Sequence, residues 1–108
     1  MEKKRSGPKP VKPVEHDGVR YEAVHWGKAR GLEQNGGYLA AFDQKSGEEL
    51  WLLKVYDVNY DSDIEDDKQD VFITGLRFGW FNKSRLIIKN ERNETFNVDL
   101  ATRRVEKA

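Results

Sequence analysis

The sequence has no cysteine among its 108 residues. Disulfide bonds, thiol nucleophiles and thiolate metal ligands are therefore excluded. It also lacks an apolar run near the length of a membrane span, and its basic start is not followed by the apolar stretch of a signal peptide. These absences predict a cytoplasmic protein with no membrane association.

An excess of charge of one sign is missing as well. The chain carries 19 basic and 19 acidic residues, so its formal net charge is zero and its surface as a whole is not expected to bind polyanions. The charges are nevertheless segregated along the chain. Residues 1–13 hold five basic residues and one acidic residue, whereas residues 57–70 hold seven acidic residues and one lysine.

Residues 1–14 combine basic residues with the three prolines of the chain, a composition that buries little apolar surface. We predict a disordered, basic, proline-rich tail here, followed by a single all-β domain over residues 15–108. The tail is suited to electrostatic contact with nucleic acid or an acidic partner through its basic side chains, which are Lys3, Lys4, Arg5, Lys9 and Lys12. No aromatic residue is interleaved with them for base stacking, so a solubilising role is favoured and nucleic-acid binding is the alternative.

Alternating apolar and polar residues dominate the rest of the sequence, and no long stretch has the apolar face of a helix. The pattern predicts strands separated by turns, at Val19–Trp26, Tyr38–Phe42, Glu48–Val58, Val71–Trp80, Arg85–Lys89, Thr95–Leu100 and Arg104–Glu106. Strict alternation in the fourth of these strands predicts one shared face for Phe72, Thr74, Leu76, Phe78 and Trp80.

The glycine-rich segment at 27–37 lacks the spacing of a phosphate-binding loop, so we interpret it as a connection shaped by backbone geometry. The expected fold is all-β, an antiparallel meander of about six to eight strands with no long helix. It is expected to form an incomplete propeller or a small sandwich.

A hairpin at residues 38–56 stands at the centre of this pattern. Its turn runs from Asp43, which can cap its own backbone, to Gly47, which accepts positive φ. A weaker copy occurs near the end of the chain, where Asp99 lies 56 residues after Asp43 and Arg103 replaces the glycine. This spacing is close to the length of one four-stranded propeller blade.

The central hairpin resembles a blade of the β-propeller superfamily, especially the quinoprotein-dehydrogenase-like repeat, at Phe42, Asp43, Ser46, Gly47 and Trp51. The resemblance implies one or two blades. It implies no quinoprotein activity, because that chemistry needs a funnel of many blades around a cofactor. The chain is also similar to a small, uncharacterised bacterial protein family that brings no activity with it, at Tyr21, Glu22, His25, Trp26 and Gly27.

The acidic segment is the most pointed candidate for a metal site. Asp57, Asp61 and Asp63 belong to an alternating row of oxygen-bearing side chains, which suits Ca²⁺. The EF-hand template fails, because Ser62 replaces the required glycine and Lys68 replaces the bidentate glutamate. The segment is therefore expected to be a solvated loop, with weak Ca²⁺ binding at the three aspartates as the alternative.

The sequence shows no set of residues with the spacing or motif of a catalytic site. His16 and His25 have no third ligand at metal spacing, and no serine stands in a nucleophile elbow. Adjacent carboxylates such as Glu48 and Glu49 point to opposite faces of a strand, so they are expected to be solvated charges. We predict a protein that is not an enzyme and that needs no cofactor.

Aromatic residues are plentiful, with three Trp, four Tyr and five Phe, and most fall on alternating strand positions that belong in a core. A turn tip is hard to bury, so an exposed interaction patch is predicted at Trp80, Phe81 and Tyr60. The sequence thus predicts a non-catalytic β module that binds an unknown protein partner or acts as an accessory, as a monomer or small homo-oligomer. The alternative is a nucleic-acid-associated small β protein that uses the basic tail.

Overall fold

The computed structural model describes residues 7–60 and 69–108. In this part of the chain, eight strands form two four-stranded antiparallel sheets, and no long helix is present. The first sheet contains, in spatial order, β1 (Val14–His16), β2 (Val19–Val24), β3 (Tyr38–Asp43) and β4 (Glu49–Lys54). The second contains β5 (Ile73–Phe78), β6 (Arg85–Asn90), β7 (Thr95–Asp99) and β8 (Arg104–Lys107). The predicted all-β meander is confirmed, and the two sheets are consistent with a small sandwich.

The tightest connection joins β1 to β2 at Asp17 and Gly18. His16 pairs with Val19, which leaves two loop residues, and both have positive φ, 54° and 77°. This is the geometry of a type I′ hairpin turn, whose twist matches that of the flanking strands. Val14, which the sequence pattern places in the tail, opens β1, because a three-residue strand carries too little alternation to be recognised.

β4 ends at Lys54, short of the predicted end at Val58. The bond from Val55 N to the Gly37 carbonyl oxygen at 2.7 Å still follows the register of β3 and β4, but Val58 N donates to the side chain of Gln34 instead of to a strand. The apolar pattern of the sequence continues to Val58, but the hydrogen bonds do not. Hydrophobic alternation therefore overestimates the length of this strand.

The buried side chain of Gln34 holds the glycine-rich connection, whose first residues form a 3-10 turn at Gly27–Arg30. Gln34 Nε2 donates to the carbonyl oxygens of Gly36 and Tyr56, both at 2.8 Å, and its Oε1 accepts from Val58 N at 2.9 Å. A Cβ on Gly36 would overlap the carbonyl oxygen of Val71, so the backbone approaches too closely there for another residue. These contacts agree with the prediction that the glycine-rich segment is a connection shaped by the geometry of its backbone.

β5 departs from the strict alternation that its sequence predicts. Its register with β6 shifts between Ile73 and Gly75, which makes Thr74 an extra, bulged residue. The residues of β5 that pack in the core are Ile73, Leu76 and Phe78. The predicted face that joined Thr74 to Leu76 is therefore wrong, because alternation alone does not reveal an inserted residue.

The core lies between the two sheets. Its fully buried aliphatic side chains come from inward positions of both sheets and include Leu39, Ala41, Leu86, Ile88 and Val98. Ring contacts join the two halves of the core. Tyr21 meets Phe78 edge-on with centroids 6.1 Å apart, and Tyr56, just after β4, stacks on Phe96 at 5.2 Å. Such pairs contribute about 0.5–1.5 kcal/mol each beyond the apolar area that they bury.

The two turns that the sequence pairs as copies have the same hydrogen bonds. Asp43 Oδ1 accepts from two backbone N–H groups at 2.9 Å, and Asp99 Oδ1 accepts from the equivalent two at 2.9 and 3.2 Å. Gly47 and Arg103 close these turns in the left-handed region, with φ of 73° and 61°. Each turn joins the third and fourth strands of its sheet, so the repeat is present in the turns, while the propeller resemblance stays a prediction.

Replacing Gly36 with alanine is expected to destabilise the fold, because the new Cβ would collide with the backbone oxygen of Val71. Overpacking of this kind costs about 1–3 kcal/mol. Gly75→Ala is the matched control, since nothing lies within 4 Å of its Cβ position. Urea unfolding followed by tryptophan fluorescence should give a lower midpoint for Gly36→Ala alone; equal midpoints would contradict the close approach at Gly36.

The turn at Asp43 makes stability depend on pH. Hydrogen bonds from the backbone N–H groups of Ser46 and Lys45 lower the pKa of Asp43 below its ordinary value of 3.8. A carboxyl group whose pKa is lower in the folded state stabilises the fold above about pH 4, and this contribution is lost as the pH falls through the folded-state pKa.

Asp43→Asn keeps an acceptor oxygen in the turn but removes the charge. We expect the variant to be less stable than wild type at neutral pH and equal to it at a pH below the folded-state pKa, because the wild-type carboxyl is then protonated. Urea unfolding at both pH values measures this difference. A stability difference that stays constant across the range would show that the charge of Asp43 contributes nothing.

Candidate functional site

Trp80 and Phe81 project from the connection between β5 and β6, which we call the aromatic turn. Trp80 is 87% exposed and Phe81 is 96% exposed, and their rings meet edge-to-face with centroids 6.3 Å apart. The other large apolar side chains that the structure shows exposed, Trp26 and Leu50, are about half covered. An exposed apolar pair of this kind is a candidate for a binding surface.

Backbone hydrogen bonds close the aromatic turn beneath the two rings. Gly79 N donates to the Arg85 carbonyl oxygen at 2.8 Å, and Arg85 N donates to the Asn82 carbonyl oxygen at 3.2 Å. Asn82 Oδ1 accepts from the backbone N and the hydroxyl of Ser84, at 2.9 and 2.5 Å. Asparagine that bonds the backbone two residues ahead is typical of tight turns, so the rings are presented at the tip of an ordered connection.

Tyr60 lies apart from the aromatic turn. Its hydroxyl donates to Asp70 Oδ1 at 2.5 Å, and Lys28 Nζ lies 4.1 Å from its ring centroid. Asp70 precedes β5 whereas Trp80 follows it, so the length of that strand, roughly 17 Å, separates the two groups. The structure therefore divides the predicted patch: Tyr60 is half-buried among polar groups, while Trp80 and Phe81 are exposed together.

The outer face of the second sheet carries three cations around Ile87. Arg85 and Lys89 lie two residues on either side of it along β6, and Arg77 pairs with it from β5. All three cations are exposed, and within residues 7–60 and 69–108 no carboxylate lies within ion-pair distance of them. We call this group of four residues the basic face.

Two shallow cavities open on the basic face. One, of about 210 Å³, is lined by Asn82 of the aromatic turn, by Arg85 and by the carboxylate residues Asp99 and Glu106. The other, of about 220 Å³, is lined by three residues of the basic face, Arg77, Ile87 and Lys89. The aromatic turn and the basic face are therefore parts of one continuous surface.

The basic face is not among the candidate sites that the sequence predicts. Its signal is the alternation of Arg85, Ile87 and Lys89 with buried residues between them, which places all three on one side of β6. Arg77 lies between Leu76 and Phe78, which pack on the core, so alternation turns it outward as well. The sequence does not reveal that Arg77 pairs with Ile87, which brings it beside the two cations of β6.

The predicted calcium site is described only in part. Asp57 is exposed and its Oδ1 accepts from Lys54 Nζ at 2.9 Å, whereas Asp61 and Asp63 lie outside the described residues. In the part of the chain that the structure describes, no group of three or more His, Cys, Asp or Glu side chains is arranged to hold a metal ion. Weak Ca²⁺ binding at the three aspartates stays a prediction.

The two histidines lie at opposite ends of the first sheet, His16 at the end of β1 and His25 just after β2. The ring of His25 packs edge-on against Phe72 with centroids 5.6 Å apart. Burial lowers the pKa of His25, and the negative charge of Glu91 and a hydrogen bond to the Lys9 backbone partly oppose this effect. The contacts of His25 are thus those of a packed, neutral ring.

The basic tail is also described in part. Lys9 and Lys12 are exposed, and the tail residues outside the described ranges are Lys3, Lys4 and Arg5. Residues 7–10 line a cavity of about 530 Å³ together with Phe72 and other residues at the start of the second sheet. The electrostatic role of the tail, and with it the nucleic-acid alternative, stays a prediction.

The chain matches no known protein family, and it shows no significant similarity to the characterised proteins with which it was compared. None of the helices within residues 7–60 and 69–108 has the length and hydrophobicity of a membrane span. The candidate site is therefore defined by its own geometry.

Because the aromatic turn is exposed and Tyr60 is half-buried, we expect mutations at these two places to differ in their effect on stability. Trp80→Ser/Phe81→Ser should change the free energy of unfolding by less than about 0.5 kcal/mol, because both rings are exposed. Tyr60→Phe should lower it by about 1–2 kcal/mol, because the hydroxyl that binds Asp70 is lost. Urea unfolding measures both; a large loss in the double variant would show that the two rings are structural.

Proposed function

We propose that the protein is a non-catalytic β module that binds a protein partner through the aromatic turn. The observation that carries this proposal is the exposure of Trp80 and Phe81, 87% and 96%. Tryptophan is strongly enriched among the residues that dominate protein interfaces, and large apolar groups in water favour association with a surface that covers them. The hydrogen-bonded turn supports the proposal, because an ordered anchor loses less entropy on binding.

The geometry supports recognition more than chemistry. The His25 ring packs against Phe72, and burial lowers its pKa, which leaves it neutral at physiological pH. Asp43 and Asp99 use their side-chain oxygens to hold turns. The proposal therefore assigns no catalytic step and no cofactor to the protein, and it places the protein in the cytoplasm as a monomer or small homo-oligomer.

Affinity capture from a cell extract, followed by mass spectrometry, tests the proposal. The wild-type chain should retain a protein that Trp80→Ser/Phe81→Ser does not retain, because the anchor rings are gone. Leu50→Ser is the matched control, since it removes a different exposed apolar side chain, on β4. Loss of the same protein with Leu50→Ser, or its retention by the double variant, would contradict a specific role for the aromatic turn.

A further inference from the structure

The basic face carries three cations that form no ion pair within the described part of the chain. Other cations of the described chain do form ion pairs: Arg30 of the 3-10 turn with Glu49 at 2.6 Å, and Lys107 of β8 with Glu94 at 2.7 Å. Because the formal net charge of the whole chain is zero, unpaired cations gathered on one sheet face mark a surface that attracts an anionic partner.

The aromatic turn adjoins this charge. The bond from Gly79 N to the Arg85 carbonyl oxygen joins the base of the turn to the first residue of β6. Asn82 of the turn and Arg85 also line the same cavity. The apolar anchor therefore lies just before β6, and the cations Arg85 and Lys89 follow along that strand.

We propose that the basic face binds an acidic, extended segment of the protein partner, with an apolar residue beside the acidic stretch packed on Trp80 and Phe81. This inference rests on the proposed function, because it names the chemistry of the partner that the aromatic turn binds. Arg85 and Lys89 lie four residues apart on β6, a separation of roughly 14 Å. Carboxylates four residues apart in an extended peptide have the same spacing, so one segment engages both cations.

Two carboxylates on the same side of the sheet favour a peptide over a nucleic acid. Asp99 pairs with Arg85 in the register of β6 and β7, and Glu106 lines the same cavity. A nucleic acid carries a phosphate charge at each nucleotide and would be repelled at these two positions. A peptide can place carboxylates opposite the cations and neutral residues opposite Asp99 and Glu106, so its charges complement the whole surface.

The test uses a fluorescein-labelled synthetic peptide in which glutamate and serine alternate and one end carries Leu-Phe. Fluorescence anisotropy should show that it binds the full chain and that its affinity falls as salt is added. Arg77→Glu/Arg85→Glu should weaken binding about 10-fold or more, because two attractions are lost and two repulsions are introduced.

The matched control is Arg30→Glu/Lys45→Glu, which changes the net charge equally at exposed basic residues outside the second sheet and outside the basic tail. It should bind the peptide as wild type does. Circular dichroism and urea unfolding verify that both variants are folded. Failure of the glutamate peptide to bind, or an equal loss of affinity in the control, would overturn the inference.

Two further results separate this inference from its alternatives. Binding of oligothymidylate without binding of the glutamate peptide would overturn it and assign the surface to single-stranded nucleic acid. Capture of the partner by Arg77→Glu/Arg85→Glu but not by Trp80→Ser/Phe81→Ser would leave the proposed function standing and show that the acidic partner is wrong. Capture by both variants would remove the proposed function itself.

Discussion

The side-chain amide of Gln34 is the interaction on which the arrangement of the two sheets depends. It is 2% exposed and bonds to the backbone of Gly36, Tyr56 and Val58, so it joins the connection before β3 to the chain after β4. A buried amide without these bonds would cost about 1–3 kcal/mol for each unsatisfied group. The same contact holds Tyr56 in place, and the Tyr56 hydroxyl donates to the carbonyl oxygen of Val71, two residues before β5, at 2.7 Å.

This placement decides which surfaces remain for function. The second sheet packs its inner residues, such as Leu86 and Ile88, against the first sheet. Side chains alternate in direction along a strand, so burial of these two residues turns Arg85, Ile87 and Lys89 outward. The aromatic turn lies at the far end of β5 from the Gln34 contacts, where no other element covers it among the described residues. A partner that binds the aromatic turn would therefore not disturb the packing of the core.

Local patterns identified much of the fold in advance. The turns at Asp43 and Asp99 were predictable because an aspartate two residues before its backbone partners has a defined geometry that needs no distant contact. The exposed position of Trp80 and Phe81 followed from their place at a turn. Tyr60 was not predictable in the same way, because its contacts with Lys28 and Asp70 join residues far apart in sequence. The basic face was not predictable either, because it depends on the pairing of Arg77 in β5 with Ile87 in β6.

The sequence by itself determined the β class of the fold, most strand positions, the repeated turns and the aromatic tip, because period-two alternation and turn chemistry are local properties. Tertiary structure alone decided where β4 ends, that Ile73 lies in the core together with Leu76 and Phe78, and that three cations share one surface with the aromatic turn. These features depend on hydrogen bonds and packing between segments distant in the chain. The Gln34 amide, which joins residues 22 and 24 positions away from it, is the clearest instance.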